Sequence, residues 1–339
     1  MKTPPIPLSM ISLDNYAEHN LDFNPEKFEE YRGQDELKKK LALYTHAAQL
    51  RNEPLDHLLF FGPPGLGKTT LCTLMARVMN VDIKICSGPM LERTGDLVAL
   101  LSSLKKKDII FIDEIHRIPT AVEEVLYTAM ENFRIDIIIG QGAGAQSVNL
   151  PLQPFTLIGA TTKTGLISAP LRSRFGILER LDYYSHQELQ MIIEDNAHYL
   201  ATPISSQSAL LIAQAARGTP RIAKKLLRRV RDFAQVENNN IIDETITVRA
   251  LQFLGIDQTG LSQLDNALLK IMIEKFDGGP VGLETLASLL SEDSTTLEEV
   301  HEPYLIRMGY LEKSSRGRII PYKILPRLKK KFFGQETLF

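Results

Sequence analysis

The chain has 339 residues, 44% of them hydrophobic, with 39 basic and 41 acidic side chains and a net charge of −2. That is enough material for two or three domains with their own cores, and it excludes collagenous and low-complexity classes. No apolar run reaches the length of a membrane helix, and the early residues Pro4, Pro5, Pro7, Asp14 and Glu18 do not fit a secretory signal.

A cytoplasmic protein is expected. The two cysteines, Cys72 and Cys86, support neither a disulfide framework nor a cysteine metal site and read as small buried residues. With a near-neutral bulk balance, any nucleic-acid affinity must come from local patches.

In chain order, Asn24-Pro25-Glu26-Lys27-Phe28 reads as a turn into a helix, and Gly33-Gln34-Asp35-Glu36-Leu37 opens another that continues through Tyr44. Strands are expected at 58–61, 82–85, 109–112 and 156–159 with helices between them, an α/β sheet. The first strand runs into Gly62-Pro63-Pro64-Gly65-Leu66-Gly67-Lys68-Thr69, which fits the phosphate-loop pattern GxxxxGK[ST]. There Gly62, Gly65 and Gly67 let backbone N–H groups close around phosphates, Lys68 reaches the β and γ oxygens, and the Thr69 hydroxyl is placed for Mg²⁺. The helix expected from Thr70 through Ala76 turns its positive end to the anion. Strand before and helix after argue against a chance glycine turn.

Hydrolysis machinery follows. The apolar run Ile109-Ile110-Phe111-Ile112 ends in Asp113-Glu114, so two carboxylates emerge at the carboxyl edge of a buried parallel strand. Asp113 is expected to hold Mg²⁺ through water and Glu114 to orient the attacking water. His116 reads as local hydrogen bonding without a catalytic role. After the strand 156–159 comes Thr161-Thr162, a polar pair for the γ-phosphate or the attacking water, with Thr162 preferred over Thr161. Arg172 and Arg174 follow Ser168-Ala169-Pro170; at this distance from Asp113, Arg174 is read as a cation that completes a neighbouring subunit's site, against the alternative of a surface ion pair.

The segment from Phe133 to Leu150 alternates, turns through Gly140-Gln141-Gly142-Ala143-Gly144 and returns, as a β-hairpin does. Charge is sorted along the rest of the chain. Residues 217–231 hold seven basic and no acidic side chains, 283–302 hold six acids and no lysine or arginine, and 303–339 hold nine bases against two acids. This favours an oriented electrostatic surface. Helices expected at 264–271, 283–290 and 296–308, then a basic hairpin with Lys313, Arg316 and Arg318, make a winged-helix plan that would grip DNA phosphates without base specificity. Domains are expected at 1–184, 185–255 and 256–339.

The order of Gly33-Gln34, the phosphate loop, Asp113-Glu114, Thr161-Thr162, Arg174 and Gly218-Thr219-Pro220-Arg221 resembles the AAA+ ATPase family. More narrowly, Asp113-Glu114-Ile115-His116-Arg117, Ile158-Gly159-Ala160-Thr161-Thr162, Pro170-Leu171-Arg172-Ser173-Arg174-Phe175-Gly176-Ile177 and Arg217-Gly218-Thr219-Pro220-Arg221-Ile222-Ala223 resemble the RuvB family. The resemblance implies an α/β P-loop AAA+ core with a helical lid and a C-terminal winged-helix domain. It implies a homo-hexameric ring around duplex DNA, driven by ATP and Mg²⁺ and loaded on Holliday junctions by RuvA through hairpin 133–150, with a junction resolvase as a further partner. Carried over by residue, it makes Arg221 the sensor of the γ-phosphate and puts Thr70, Glu131, Asn132, Phe133 and Tyr184 near the nucleotide. Lys313, Arg316 and Arg318 match the basic wing.

One departure stands out: the family's Leu-Arg-Pro is here Phe23-Asn24-Pro25, and Asn24 cannot supply that charge. The terminal Gln335 to Phe339 peptide also resembles those that dock on sliding clamps. Two other readings stay open, a clamp-loader subunit and a nucleotide-switch DNA-binding adaptor. Against the first stand the basic wing and the missing zinc-module cysteines, and against the second Glu114, Arg174 and Arg221 together.

Overall fold

The computed structural model describes residues 22–139, 146–257 and 259–334; the predicted hairpin turn at 140–144 and the terminal peptide 335–339 lie outside them. By proximity of its Cα atoms the chain divides into two compact units. One ends at Thr202 and also takes in Gly218–Lys225; the other combines Pro203–Arg217 with Leu226–Phe339.

The first unit is a five-stranded parallel sheet with helices between its strands. Its elements are α1 (Asp35–Arg51), β1 (Leu58–Phe61), α2 (Lys68–Met79), β2 (Ile83–Ser87), α3 (Thr94–Ser102), β3 (Ile109–Asp113), α4 (Thr120–Asn132), the hairpin β4 (Arg134–Ile139) and β5 (Gln146–Pro151), β6 (Thr156–Thr161), α5 (Ala169–Ser173), β7 (Ile177–Arg180) and α6 (His186–Tyr199). The sheet order is β2-β3-β6-β1-β7. Ile109, Ile110, Phe111 and Ile112 are all fully buried, so the interior strand β3 reads as an unbroken apolar run. Four strands lie where the sequence predicts them. The fifth, β7, was not predicted: Ile-Leu-Glu-Arg is four residues long, sits on an edge, and exposes Leu178, so it carries little apolar signal.

The second unit holds α7 (Ser206–Ala215), the greater part of α8 (Pro220–Glu237), α9 (Glu244–Phe253), α10 (Gln263–Phe276) and α11 (Leu283–Leu290). A π turn, Leu297–His301, leads into α12 (Glu302–Arg307), so the third predicted helix is interrupted. The wing is β8 (Glu312–Ser314) paired with β9 (Gly317–Ile319), and an unpredicted basic helix α13 (Leu325–Phe333) closes the described residues. Arg318 and Val281 exchange both backbone hydrogen bonds, which seats the wing against the turn before α11. Gly317 is required there: a Cβ would lie 2.4 Å from the Val281 carbonyl. Leu261, Leu268, Leu269, Met272, Leu286, Leu305, Leu311 and Leu328 form the core of this unit's C-terminal part. Among the described residues no helix is long and apolar enough to cross a membrane.

Candidate nucleotide site

The phosphate loop leaves β1 at the carboxyl edge of the sheet and ends at Gly67, the N-cap of α2. Gly62, Gly65 and Gly67 have φ of 137°, 77° and 99°, conformations that L side chains resist. The first N–H groups of α2 have no partner within the helix, which makes that end a ready anion site. The Lys68 ammonium lies inside the loop, donating to the Gly62 and Pro63 carbonyls, each at 2.9 Å. Burial pulls its pKa below the ordinary lysine value and Arg221 adds to this, while Asp113 and Glu114 oppose it. Thr69 is exposed, and Thr70 lines the adjoining recess.

Asp113 ends β3 opposite Ser87 of β2. Glu114 then takes a left-handed backbone with φ of 48°, uncommon for a non-glycine residue, which carries its carboxylate to the neighbouring strand end. There the Thr162 hydroxyl donates to Glu114 Oε2 at 3.1 Å and the Thr162 backbone N–H reaches the same oxygen at 3.3 Å. His116 Nδ1 is 2.9 Å from Thr161 Oγ1 and 3.2 Å from Glu114 Oε2, the local hydrogen bonding read from the sequence. Burial lowers the His116 pKa, against the pull of Glu114, and favours the neutral ring.

Arg221 comes to the same loop. Its backbone N–H donates to the Gly65 carbonyl at 3.3 Å, and a Cβ on Gly65 would lie 2.9 Å from Thr219 Cγ2 and 3.0 Å from Arg221 Cβ. Tyr184 donates from its hydroxyl to the Leu66 carbonyl at 3.1 Å and pairs at 2.8 Å with the hydroxyl of Tyr31. Both phenols are buried, and burial pushes their pKa values well up, so they act as neutral hydrogen-bonding groups.

Tyr31 was not among the predicted site residues. An aromatic side chain just before a helix reads as core, and only the fold shows its hydroxyl 2.5 Å from where a Gly67 Cβ would stand. Beside this pair is a small recess lined by Phe23, Pro25, Tyr31, Gly67, Thr70 and Tyr184 among others. Asn24 is exposed; the cations lining the recess are Arg32, paired with Asp195, and Lys224, near Asp22.

Two predicted groups lie elsewhere. Phe133 packs on His57 and Phe155, near the start of β1, and is therefore at the opposite end of that strand from its own phosphate loop. The sequence reading that put Glu131, Asn132 and Phe133 beside the nucleotide does not hold within one chain. Glu131 instead pairs with Arg174 at 3.1 Å. The wing also departs from expectation. Arg318 donates to the buried Glu302 at 2.6 Å, and Lys313 reaches Glu298 and Glu302 at 2.8 Å each. Desolvation works against the Lys313 ammonium, but the hydrogen bonds it donates to those two carboxylates outweigh it and raise its pKa. These cations are largely neutralised at the base of the wing, whereas Arg316, at the tip, is exposed and forms no ion pair among the described residues.

A phosphate loop at the carboxyl edge of a parallel sheet, an acidic pair at the end of β3, a threonine bonded to it after the intervening strand β6 and an arginine from a helical segment together define a P-loop ATPase of the AAA+ class. The comparisons narrow this. The chain matches the models of the Holliday junction DNA helicase RuvB P-loop domain over residues 23–181, the RuvB AAA lid domain over 184–257 and the RuvB C-terminal winged helix domain over 258–329.

It is 49% identical, over 95% of its length and 97% of the relative's, to the Holliday junction branch migration complex subunit RuvB of Fusobacterium nucleatum. Its structure superposes on the Thermotoga maritima RuvB Holliday junction branch migration motor with a TM-score of 0.78 at 46% identity, covering 90% of this chain and 98% of that one. The chain belongs to the RuvB family.

Proposed function

We propose that this protein is an ATP-driven DNA translocase that powers branch migration of Holliday junctions in recombination and repair, working as a homo-hexameric ring loaded by RuvA. The convergence of Lys68, Glu114 with Thr162, and Arg221 on one phosphate loop carries this reading. Lys68, the loop N–H groups and the start of α2 bind the triphosphate. Glu114, held by Thr162, orients the attacking water and accepts its proton, and Arg221 reports the γ-phosphate to the helix it begins.

The hard oxygens of Thr69 and Asp113 suit Mg²⁺, which would neutralise charge developing on the phosphates. Arg174, with Glu131, Asn132 and Phe133, lies at the far end of the sheet and serves the nucleotide of an adjacent subunit. In the wing, Arg316 leads the phosphate contact, with Lys313 and Arg318 supporting it, and hairpin 133–150 docks RuvA. A junction resolvase acting on the migrated junction, and a sliding clamp met by the terminal peptide, are the further partners; both sit in the cytoplasm with it.

The test is steady-state ATP hydrolysis with and without four-way junction DNA, for the native chain and Glu114→Gln. Junction DNA should stimulate turnover, and Glu114→Gln should lower kcat by about 10²–10⁴ while still binding nucleotide. Turnover indifferent to DNA would favour the switch-adaptor reading.

A further inference from the structure

Along α4, Glu123, Tyr127 and Glu131 stand at i, i+4 and i+8 and therefore form one stripe on the helix surface. Arg174 lies over that stripe. Its guanidinium carbon is 4.4 Å from the centre of the Tyr127 ring, one terminal nitrogen donates to the Pro170 carbonyl at 2.8 Å, and the other meets Glu131 at 3.1 Å. Its Nε is buried without a hydrogen-bond partner. The Tyr127 ring is itself tethered at its far end: the hydroxyl donates to Glu123 at 2.5 Å and lies 3.1 Å from Ser168 Oγ. Ser168 caps α5, the turn that presents Arg174, by accepting from the Leu171 N–H.

We propose that Tyr127 is a positioning residue for the arginine finger: its fixed ring sets the plane from which Arg174 reaches a neighbouring subunit's triphosphate, while Glu131 is the exchangeable anchor. The proposal rests on the reading of Arg174 as acting in trans. An arginine held by every N–H could not be redirected without breaking each bond. Here the face of the group is held and Nε is left over, so the ring contact survives a change of partner at the tip. The ion pair to Glu131, a side chain 52% exposed, is of the weak and easily replaced kind. The ring contact also spares Arg174 part of the rotamer entropy that a free side chain would lose on ordering.

The experiment compares the assembled native protein with Tyr127→Phe, Tyr127→Leu and Arg174→Ala in ATP hydrolysis. Tyr127→Phe keeps the aromatic face and should stay within about threefold of native kcat, whereas Tyr127→Leu should lose between about 10- and 100-fold in kcat with little change in KM. Mixing Tyr127→Leu with Glu114→Gln subunits should restore turnover, because the second supplies an intact finger to the first one's intact site; a merely damaged fold would not be rescued. Should Tyr127→Leu fail to fold, Tyr127→Met keeps the bulk without the aromatic face and takes its place. Full kcat without the ring, or a loss that mixing does not repair, overturns the inference. Arg174→Ala separates the two claims: if it alone retains turnover, the trans reading falls first.

Discussion

Gly65 shows how one missing side chain ties the phosphate loop to Arg221. With φ of 77° and Thr219 and Arg221 filling the space a Cβ would need, Gly65→Ala strains the loop and displaces the start of α8 together. Nucleotide affinity should fall about tenfold, roughly 1.4 kcal/mol, in a titration with a fluorescent nucleotide. An unchanged affinity would mean that Arg221 does not depend on this contact. Glu114 makes the complementary case: its left-handed backbone turns the carboxylate onto Thr162, a geometry on the order of 1–3 kcal/mol uphill that the strand ends around it hold in place.

Among the elements, the wing and the start of α10 separate charge that binds from charge that supports. Arg316→Ala removes an exposed cation and should weaken DNA binding evenly across sequences, lowering the magnitude of the salt slope by about 1. Arg318→Ala instead strips a partner from Glu302, which is 1% exposed and among the described residues then keeps only Lys313 as an ion-pair partner, so it should cost up to about 3 kcal/mol of stability in thermal or denaturant unfolding.

Asp265, fully buried at the first turn of α10, carries a pH dependence. Burial would raise its pKa, but His301 at 2.7 Å, Arg217 and Ser262 outweigh that and hold it below the usual carboxylate range. A folded-state pKa below the unfolded value near ~3.9 gives stability that is present above that pH and lost as pH falls through the lower folded value. The Tm gap between native chain and Asp265→Asn should therefore be steady from about pH 5 upward and narrow progressively as pH falls below the unfolded value. A gap that persists in acid would show the carboxylate charge to be irrelevant.

At the scale of the whole molecule, the hairpin and the path of the chain carry the argument. Val148 pairs in register with Ile137 and is 43% exposed on β5, an apolar group on an element that leaves the sheet. Val148→Asp should weaken RuvA binding in a pull-down at least about tenfold while ATP hydrolysis by the protein alone stays unchanged; equal binding would remove the hairpin from that interface.

The sequence by itself determined the phosphate loop, the acidic pair, the threonine pair after the fourth predicted strand, four of the five core strands and the wing hairpin, because each is a contiguous pattern. Only the tertiary structure decided what depends on distant segments meeting. It brought Tyr31 to the loop across 35 residues and paired Glu302 with Arg318. It also joined Glu131 and Tyr127 to Arg174. Side chains far apart in sequence leave no local periodicity behind when they touch, so burial and charge pairing of this kind exist only once the chain has folded.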